Sequence, residues 1–280
     1  MNIDPKSLTG QRPPNRAFAI GFARAFGGAI LFSLPMLMTM EMWELGFYMS
    51  KFRLALLLLL NIPLLIGLSH YMGFEETFGF LDDAVDAFVA LAVGFVASAL
   101  ALGLFAVTRF DMSDQEMIGT IAIQVVPASI GAMLAQSQLG GARQEKKNRH
   151  AGYGGEMFIM ASGALFLSFN VAPTEEMVLI AHKMTAWHSV ALVGASLVVM
   201  HAFVYAVEFH GQIPIQPHTP FWSELLRFTI VGYTVVLLIS VYILWTFGRT
   251  EGMSWDELLA VTIVLGFPAA IGAAAARLIL

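Results

Sequence analysis

The sequence predicts an all-α polytopic membrane protein with about eight transmembrane helices, arranged as two parallel four-helix repeats. Three observations support this prediction. Apolar residues make up 58% of the 280 residues and charged residues 12%, whereas a soluble domain carries about 25% charge. The mean hydropathy is +0.73. Two distant parts of the chain also match each other residue by residue and in the same order.

Eight apolar stretches approach the roughly 20 residues that a helix needs to cross a bilayer. They run over residues 17–40, 52–72, 83–108, 117–137, 156–172, 185–207, 223–247 and 256–280. We predict helix throughout, because a backbone in lipid must satisfy its own hydrogen bonds. A basic, polar stretch separates the fourth from the fifth. The predicted divisions are a cytoplasmic segment 1–16, a first repeat 17–137, a basic cytoplasmic linker 138–155 and a second repeat 156–280.

The internal match has three offsets. At 141 residues, Met112, Ser113, Glu116, Pro127 and Gly131 correspond to Met253, Ser254, Glu257, Pro268 and Gly272. At 135 residues, Gly28, Ser33, Thr39 and Glu41 correspond to Gly163, Ser168, Thr174 and Glu176, and at 138 residues Asp86 corresponds to Glu224. Duplicated halves are common in transporters. Four helices per half is an even number, so both halves should enter the membrane from one side. The alternative is that shared membrane composition produces the matches.

Basic residues are divided unevenly between the two predicted faces. The face that holds the N-terminus carries eight, namely Lys6, Arg12, Arg16, Arg143, Lys146, Lys147, Arg149 and Arg277. The other face carries five, namely Lys51, Arg53, Arg109, Lys183 and Arg249. Because positive loop charge marks the cytoplasmic side, we predict a bacterial inner (plasma) membrane protein with both termini in the cytoplasm.

Matched acidic clusters stand at the ends of the first and fifth stretches. Carboxylates and carbonyls bind hard cations, and rings of carboxylates set cation selectivity in pores. Free carbonyls at the C-terminal end of each helix would add partial negative charge. The predicted outer face of a cation pathway is Thr39, Glu41, Glu44, Asn170, Thr174, Glu175 and Glu176, with Glu41 and Glu176 as metal ligands. The alternative is that these acids only solvate helix ends in the headgroup layer.

A second acidic set begins the third and seventh stretches and is the predicted inner face of the pathway: Asp83, Asp86 and Glu224. Asp83 and Asp86 are three residues apart and should share one helix face. The alternative is that acids in a first turn complement the helix dipole. Pro127 and Pro268 fall within equivalent helices and are predicted hinges, with fixed bends as the alternative.

The sequence lacks residues that several classes of protein function require. The chain has no cysteine and a net charge of −5, which argues against thiolate chemistry and nucleic-acid binding. It also lacks hydrolase, kinase and dinucleotide-binding motifs in a workable context, so we predict no enzyme activity. His188 and His201 on the sixth stretch, with His70 ending the second, raise a haem hypothesis. Haem would need opposed ligands on facing helices.

Two motifs suggest relatives. Through Glu41-Met42-Trp43-Glu44 and Asn170-Val171-Ala172-Pro173-Thr174-Glu175-Glu176, nearly the whole chain resembles a bacterial family of uncharacterised integral membrane proteins. That resemblance implies no activity. The first helix, with Arg24-Ala25-Phe26-Gly27-Gly28-Ala29 before Glu41, is similar to the pore-lining first helix of potassium channels. Gly27-Gly28 replaces the Ser-Asp pair of those channels. The similarity implies that the first and fifth stretches face a central pathway.

Together these observations predict a cation channel or transporter whose pathway is lined by the first and fifth stretches. Its partners would be the lipid bilayer and an inorganic cation, Ca²⁺ or K⁺, and a homo-oligomer is left open. The alternative is a non-transporting membrane sensor or scaffold, and a third hypothesis is a haem or quinone redox protein. A wet cavity between Glu41 and Glu176 would distinguish the first class from the second.

Overall fold

The structure, a computed structural model, describes residues 14–72, 79–109, 111–139, 152–205, 222 and 225–279. Ten α-helices occupy these ranges. They are α1 Pro14–Leu37, α2 Met40–Tyr48, α3 Lys51–Met72, α4 Phe80–Leu104, α5 Asp114–Leu139, α6 Tyr153–Val171, α7 Glu176–Lys183, α8 Ala186–Tyr205, α9 Val231–Thr246 and α10 Trp255–Ile279. A π-helical segment, Leu225–Ile230, runs directly into α9. The all-α prediction is confirmed for this part of the chain.

Eight of the described helices are long and apolar enough to cross a membrane. They are α1, α3, α4, α5, α6, α8, the joined π-helical segment and α9, and α10. The predicted number of spans is therefore confirmed. We call the side on which α1 begins the N-terminal face and the other side the opposite face. Which face is cytoplasmic stays a prediction.

Two short helices were not predicted from the sequence. The first stretch does not run to residue 40: α1 ends at Leu37, and a separate nine-residue helix, α2, follows Thr39. The second half has the same arrangement, since α6 ends at Val171 and the eight-residue α7 begins at Glu176. Both lie on the opposite face. The linker boundaries also shift, because α5 continues to Leu139 and α6 begins at Tyr153, while residues 140–151 lie outside the described part.

The last helix of each half begins with the same hydrogen-bonded cap. At the start of α5, the Ser113 amide donates to the Glu116 carboxylate at 3.0 Å and the Glu116 amide donates to the Ser113 hydroxyl at 3.3 Å. At the start of α10, the Ser254 amide donates to Glu257 at 2.8 Å and the Glu257 amide donates back at 3.3 Å. This is the capping box, which satisfies two otherwise free amides. The Ser-x-x-Glu motifs at the 141-residue offset therefore have one structural role.

Close backbone contact joins the first and last helices of each half. A Cβ atom added at Gly28 would overlap the carbonyl of Gly131 and the side chain of Ala135. A Cβ atom added at Gly163 would overlap the carbonyl of Gly272 and the side chain of Ala276. These residues correspond under the offsets of 135 and 141. In lipid, where apolar burial gives little drive, such close approach of small residues is what holds helices together.

Aromatic side chains join the two halves. Phe158 of α6 packs its ring over Gly67 and Tyr71 of α3, and its ring centroid lies 5.6 Å from that of Tyr71. Phe166 of α6 meets Phe32 of α1 edge-on, with ring centroids 5.4 Å apart. The main buried core includes residues of both halves. The matched contacts within the halves support the predicted duplication, which stays a prediction.

We expect Gly28→Ala and Gly163→Ala to destabilise the protein to a similar extent. Each added methyl group must push two helices apart, and overpacking of this kind costs about 1–3 kcal/mol. The matched control is Gly27→Ala, because a Cβ atom there meets nothing within 4 Å. Thermal unfolding in detergent provides the measurement. Equal unfolding temperatures for the Gly27 and Gly28 variants would contradict the close contact.

Candidate functional site

A polar cluster lies where α3 ends and α4 begins, on the N-terminal face. Ser69 and His70 belong to the last turns of α3, and Asp83 and Asp86 belong to the first turns of α4. The two helices run antiparallel, so these ends lie side by side. The three-residue spacing of the aspartates places both on the helix face that meets α3. Four polar groups therefore converge at the edge of the membrane-spanning region.

The polar side chains of this cluster lie within hydrogen-bond distance of one another. The Ser69 hydroxyl lies 3.1 Å from Oδ1 of Asp83 and also 3.1 Å from Oδ2 of Asp86. Nδ1 of His70 lies 3.2 Å from the other Asp83 oxygen. The Asp83 side chain is 5% exposed, whereas that of His70 is 51% exposed. A buried carboxylate is thus connected to the surface through a half-exposed imidazole.

The number of protons on these groups limits the hydrogen bonds that they can form. A serine hydroxyl has one proton and can donate it to one carboxylate at a time, while ionised carboxylates only accept. If both aspartates are ionised, one carboxylate oxygen faces a lone pair of Ser69. A proton on one carboxyl group, or a cation between the two, removes this mismatch. The arrangement is therefore suited to binding one exchangeable positive charge.

The sequence found part of this cluster. Asp83 and Asp86 were predicted to share a face, and both contact Ser69. Glu224, the third predicted member of the inner face, lies outside the described residues. Ser69 and His70 were missed as site residues because their pairing with α4 is long-range. One signal was available: a polar Ser-His pair ends an otherwise apolar stretch and is followed shortly by acids.

Most of the cluster does not recur at the sequence positions that the offsets of the predicted repeat give. Under the offset of 135, Ser69 and His70 correspond to Val204 and Tyr205, and under the offset of 138, Asp83 corresponds to Phe221. Of the four positions only Asp86 matches an acid, Glu224. Three of the four residue types are thus not repeated at the matching sequence positions.

On the opposite face, the matched acids stand at helix beginnings rather than helix ends. Glu41 lies in the first turn of α2 and Glu176 in the first turn of α7. We predicted that free carbonyls at a helix C-terminus would add partial negative charge beside these acids. That prediction is wrong for Glu41 and Glu176, because both lie at a helix N-terminus, where the partial charge is positive and favours acids. The hydroxyls of Thr39 and Thr174 donate to the carbonyls of Met36 and Val171, at 2.8 and 2.9 Å. Equivalent threonines cap α1 and α6.

Charges from both halves meet around Tyr48, the last residue of α2. Burial raises the pKa of this phenol, the Glu44, Glu175 and Glu41 carboxylates raise it too, and Arg249 lowers it. Arg249 also contacts Glu175, with Nη1 and Oε1 at 3.6 Å, and donates to the carbonyl of Pro173. Glu41, Glu44 and Glu175 therefore share one electrostatic environment, with Arg249 as its counter-charge.

A cavity of about 320 Å³ opens beside this patch. Glu175, Arg249 and Glu251 line it together with apolar residues of α7. Glu251 also forms a 2.8 Å ion pair with Arg53 of the first half, whose guanidinium lies 5.0 Å from the centre of the Trp245 ring. Arg53 is 17% exposed and Glu251 is 69% exposed. No pattern in the sequence indicated this link between the halves.

The remaining predicted site residues are Asn170, the pair Glu41 and Glu176, and the prolines of α5 and α10. Asn170 donates through Nδ2 to the Phe166 carbonyl at 2.7 Å, and its Oδ1 is buried without a hydrogen-bond partner in the described structure. Among the described residues, no group of three or more His, Asp or Glu side chains could hold a metal ion. That Glu41 and Glu176 alone bind a cation stays a prediction. The hinge roles of Pro127 and Pro268, within α5 and α10, also stay predictions.

The histidines of the haem hypothesis have other partners. His70 contacts Asp83, and His188 contacts the hydroxyl of Thr185 in the preceding turn at 2.8 Å. His201 contacts the hydroxyl of Thr229 at 2.9 Å. Each imidazole is thus oriented by a protein oxygen.

Comparison with known proteins identifies the family. The family model described as "Putative integral membrane protein (DUF2391)" matches residues 21–280. The chain belongs to this family, and the predicted resemblance to an uncharacterised membrane family is confirmed. No curated protein and no solved structure matched the chain. The similarity of α1 to potassium channels stays a prediction from the sequence.

We expect Arg53→Gln to destabilise the protein more than Glu251→Gln. The arginine loses its contact with the Trp245 ring as well as the ion pair, and a partly desolvated cation–π contact is worth about 0.5–2 kcal/mol. The glutamate loses only an exposed ion pair, worth about 0–1 kcal/mol. Arg109→Gln, an exposed arginine on the same face, is the control.

Thermal unfolding at low salt and at about 1 M salt separates the two contributions, because salt screens the exposed pair. The cost of Glu251→Gln should vanish at high salt and most of the cost of Arg53→Gln should remain. Equal costs for both variants at both salt concentrations would show that the ring contact contributes nothing.

Proposed function

We propose that this integral membrane protein is a cation carrier in which the cluster of Ser69, His70, Asp83 and Asp86 binds the transported or coupling cation. The single observation behind the proposal is the Ser69 hydroxyl, which is 3.1 Å from each of two carboxylates. One hydroxyl proton serves two acceptors there. The site is completed by one additional proton or by a monovalent cation.

Burial separates this proposal from the simple helix-dipole alternative. An acid in a first turn gains about 0.3–1 kcal/mol from the helix dipole while remaining exposed. Asp83 is instead 4% exposed, although burying a carboxylate in a membrane protein is costly. Neighbouring Asp82 is an acid in the same turn and stays exposed. The dipole alone therefore gives no reason for the burial of Asp83.

The ligand set favours a proton or a monovalent cation. Ca²⁺ takes about 6–8 oxygen ligands, usually with waters and carbonyls among them. The cluster offers two carboxylates, one hydroxyl and an imidazole. His70 is half-exposed and in contact with Asp83, so it is placed to pass protons between the surface and the buried carboxylate. A proton is the cation that this combination fits best.

A carrier fits better than a permanently open channel. The rings of Phe32 and Phe166 touch between α1 and α6, the two helices predicted to line the pathway. A wet path along this seam requires those rings to separate. On the opposite face, Glu41, Glu44 and Glu175 act together on Tyr48. A negative patch of this kind raises the local concentration of cations.

A non-transporting scaffold or sensor is the second candidate. The observation that favours it is the same contact between Phe32 and Phe166, since a closed seam is also what a static protein would show. Flux measurements distinguish the two functions.

We expect purified protein in liposomes to collapse an imposed pH gradient, measured with an entrapped pH-sensitive dye, and Asp83→Asn to abolish most of this flux. Hydrogen bonds to charged groups are worth about 1.5–3 kcal/mol, which corresponds to about ten- to hundredfold in cation affinity. Ser69→Ala should weaken the flux in the same direction. Asp82→Asn, which changes an exposed acid in the same turn, is the control. Wild-type flux in the Asp83→Asn protein would exclude the cluster from transport.

We expect the double variant Glu41→Gln/Glu176→Gln to reduce flux less than Asp83→Asn and mainly at low cation concentration. These acids concentrate cations at the surface, and such steering weakens as ionic strength rises. The control is Asp114→Asn/Asp256→Asn, which removes the same charge from exposed first-turn acids on the same face. Flux measured across a range of cation concentrations makes the comparison. Unchanged flux at every concentration would remove Glu41 and Glu176 from the pathway.

A further inference from the structure

A groove of about 660 Å³ runs between α1 and α5 in the part of the membrane next to the N-terminal face. Its floor and walls are almost entirely apolar and include Ala23, Gly27, Leu31 and Leu134. Arg24 is the one charged residue among the described residues that line it. Nothing in the proposed transport mechanism uses this groove.

The groove exists because α1 has small residues on the face beside its contact with α5. Gly28 brings the two backbones together, and the neighbouring Gly27 leaves open space, since a Cβ atom there would meet nothing within 4 Å. The equivalent face of α6 is filled. Under the 135-residue offset, Ala23, Gly27 and Leu31 correspond to Phe158, Ser162 and Phe166. On α6 the two phenylalanines pack against the first half.

Arg24 is the second unusual feature of this face. It lies five residues inside the apolar span that begins at Ala19, about 7.5 Å along the helix axis. Within the described part of the chain, no carboxylate lies within ion-pair distance of it. The equivalent residue of α6 is Ile159, which is buried. A cation at this depth is costly unless an anion or water reaches it.

We propose that the groove binds an anionic phospholipid, with an acyl chain lying between α1 and α5 and the phosphate paired with Arg24. Basic pockets between membrane helices commonly bind anionic headgroups. A long arginine side chain can lie along the groove and direct its guanidinium toward the headgroup layer. Acyl chains are as apolar as the groove, so filling it brings little net gain over bulk lipid. Selectivity must therefore come from the net negative charge of the headgroup beside the guanidinium, because a zwitterionic headgroup such as phosphatidylcholine carries a phosphate but also its own cation.

A second copy of the chain fits this surface less well. Two copies in one membrane are parallel, so a symmetric dimer through this face would bring two Arg24 side chains toward the symmetry axis. Like charges near each other in a poorly solvated region repel. An anionic lipid neutralises the same charge, so charge complementarity selects the lipid.

The test is native mass spectrometry of the full-length protein, delipidated in detergent and titrated with phosphatidylglycerol or phosphatidylcholine of identical chains. We expect phosphatidylglycerol to bind more tightly, and Arg24→Gln to weaken its binding by about fivefold, to the level of phosphatidylcholine. Gly27→Leu should fill the groove and reduce binding of both lipids. Soluble glycerol phosphate should not compete, because it has no acyl chain.

Two matched controls guard against indirect effects. Arg227→Gln removes an exposed arginine from the same membrane face in the second half, and Gly194→Leu adds a side chain at another glycine with open space around it. Neither should change lipid binding, and thermal unfolding confirms that each variant is folded. Equal effects of Gly27→Leu and Gly194→Leu, or no preference for phosphatidylglycerol in the wild type, would overturn the proposal. So would a dimer that Gly27→Leu dissociates, because the occupant would then be a second copy.

Discussion

The backbone contact between the first and last long helices of each half is the constraint on which the rest of the structure depends. Gly28 lies against Gly131, and Gly163 lies against Gly272, so close that no side chain fits at any of the four positions. Inside a bilayer, helices gain little from burying apolar surface against each other, and close packing must hold them. Once these pairs are fixed, the capping boxes of α5 and α10 and the short helices α2 and α7 take equivalent places.

The residues of the proposed cation site and of the groove beside α1 differ in sequence between the two halves. At the sequence offsets of the predicted repeat, Ser69, His70 and Asp83 correspond to Val204, Tyr205 and Phe221. The groove likewise lies beside α1 at positions where α6 carries two phenylalanines. A residue type required by the fold should recur at both positions, as the glycines, the Ser-x-x-Glu caps and the threonines of α1 and α6 do. Ser69, His70, Asp83 and Arg24 do not recur in this way, and the proposed binding of a cation and of a lipid would account for them.

Sequence patterns predicted what depends on local composition. Eight long apolar stretches set the spans, and spacing placed Asp83 and Asp86 on one face. The short helices α2 and α7 were missed because nine and eight residues are too few to stand out beside the apolar stretch before them. The partners Ser69 and His70, and the contact of Arg53 with Glu251 and Trp245, join residues far apart in sequence. No periodicity reports such pairs, since they depend on how whole helices dock.

The distribution of contacts also indicates where movement would occur if the protein is a carrier. Within each half, α1 is bound to α5 and α6 to α10 by backbone contacts that cannot slide without steric overlap. Between the halves, the described contacts include rings that can change rotamer, such as Phe32 and Phe166, and an ion pair whose glutamate is largely exposed. Such contacts can break and re-form at modest cost, because exposed ion pairs are worth about 0–1 kcal/mol. Two rigid halves that rock against each other would open the seam between α1 and α6 while leaving the cation site intact inside the first half. The cluster at the junction of α3 and α4 lies within the first half, so it would keep its ligands while the halves move.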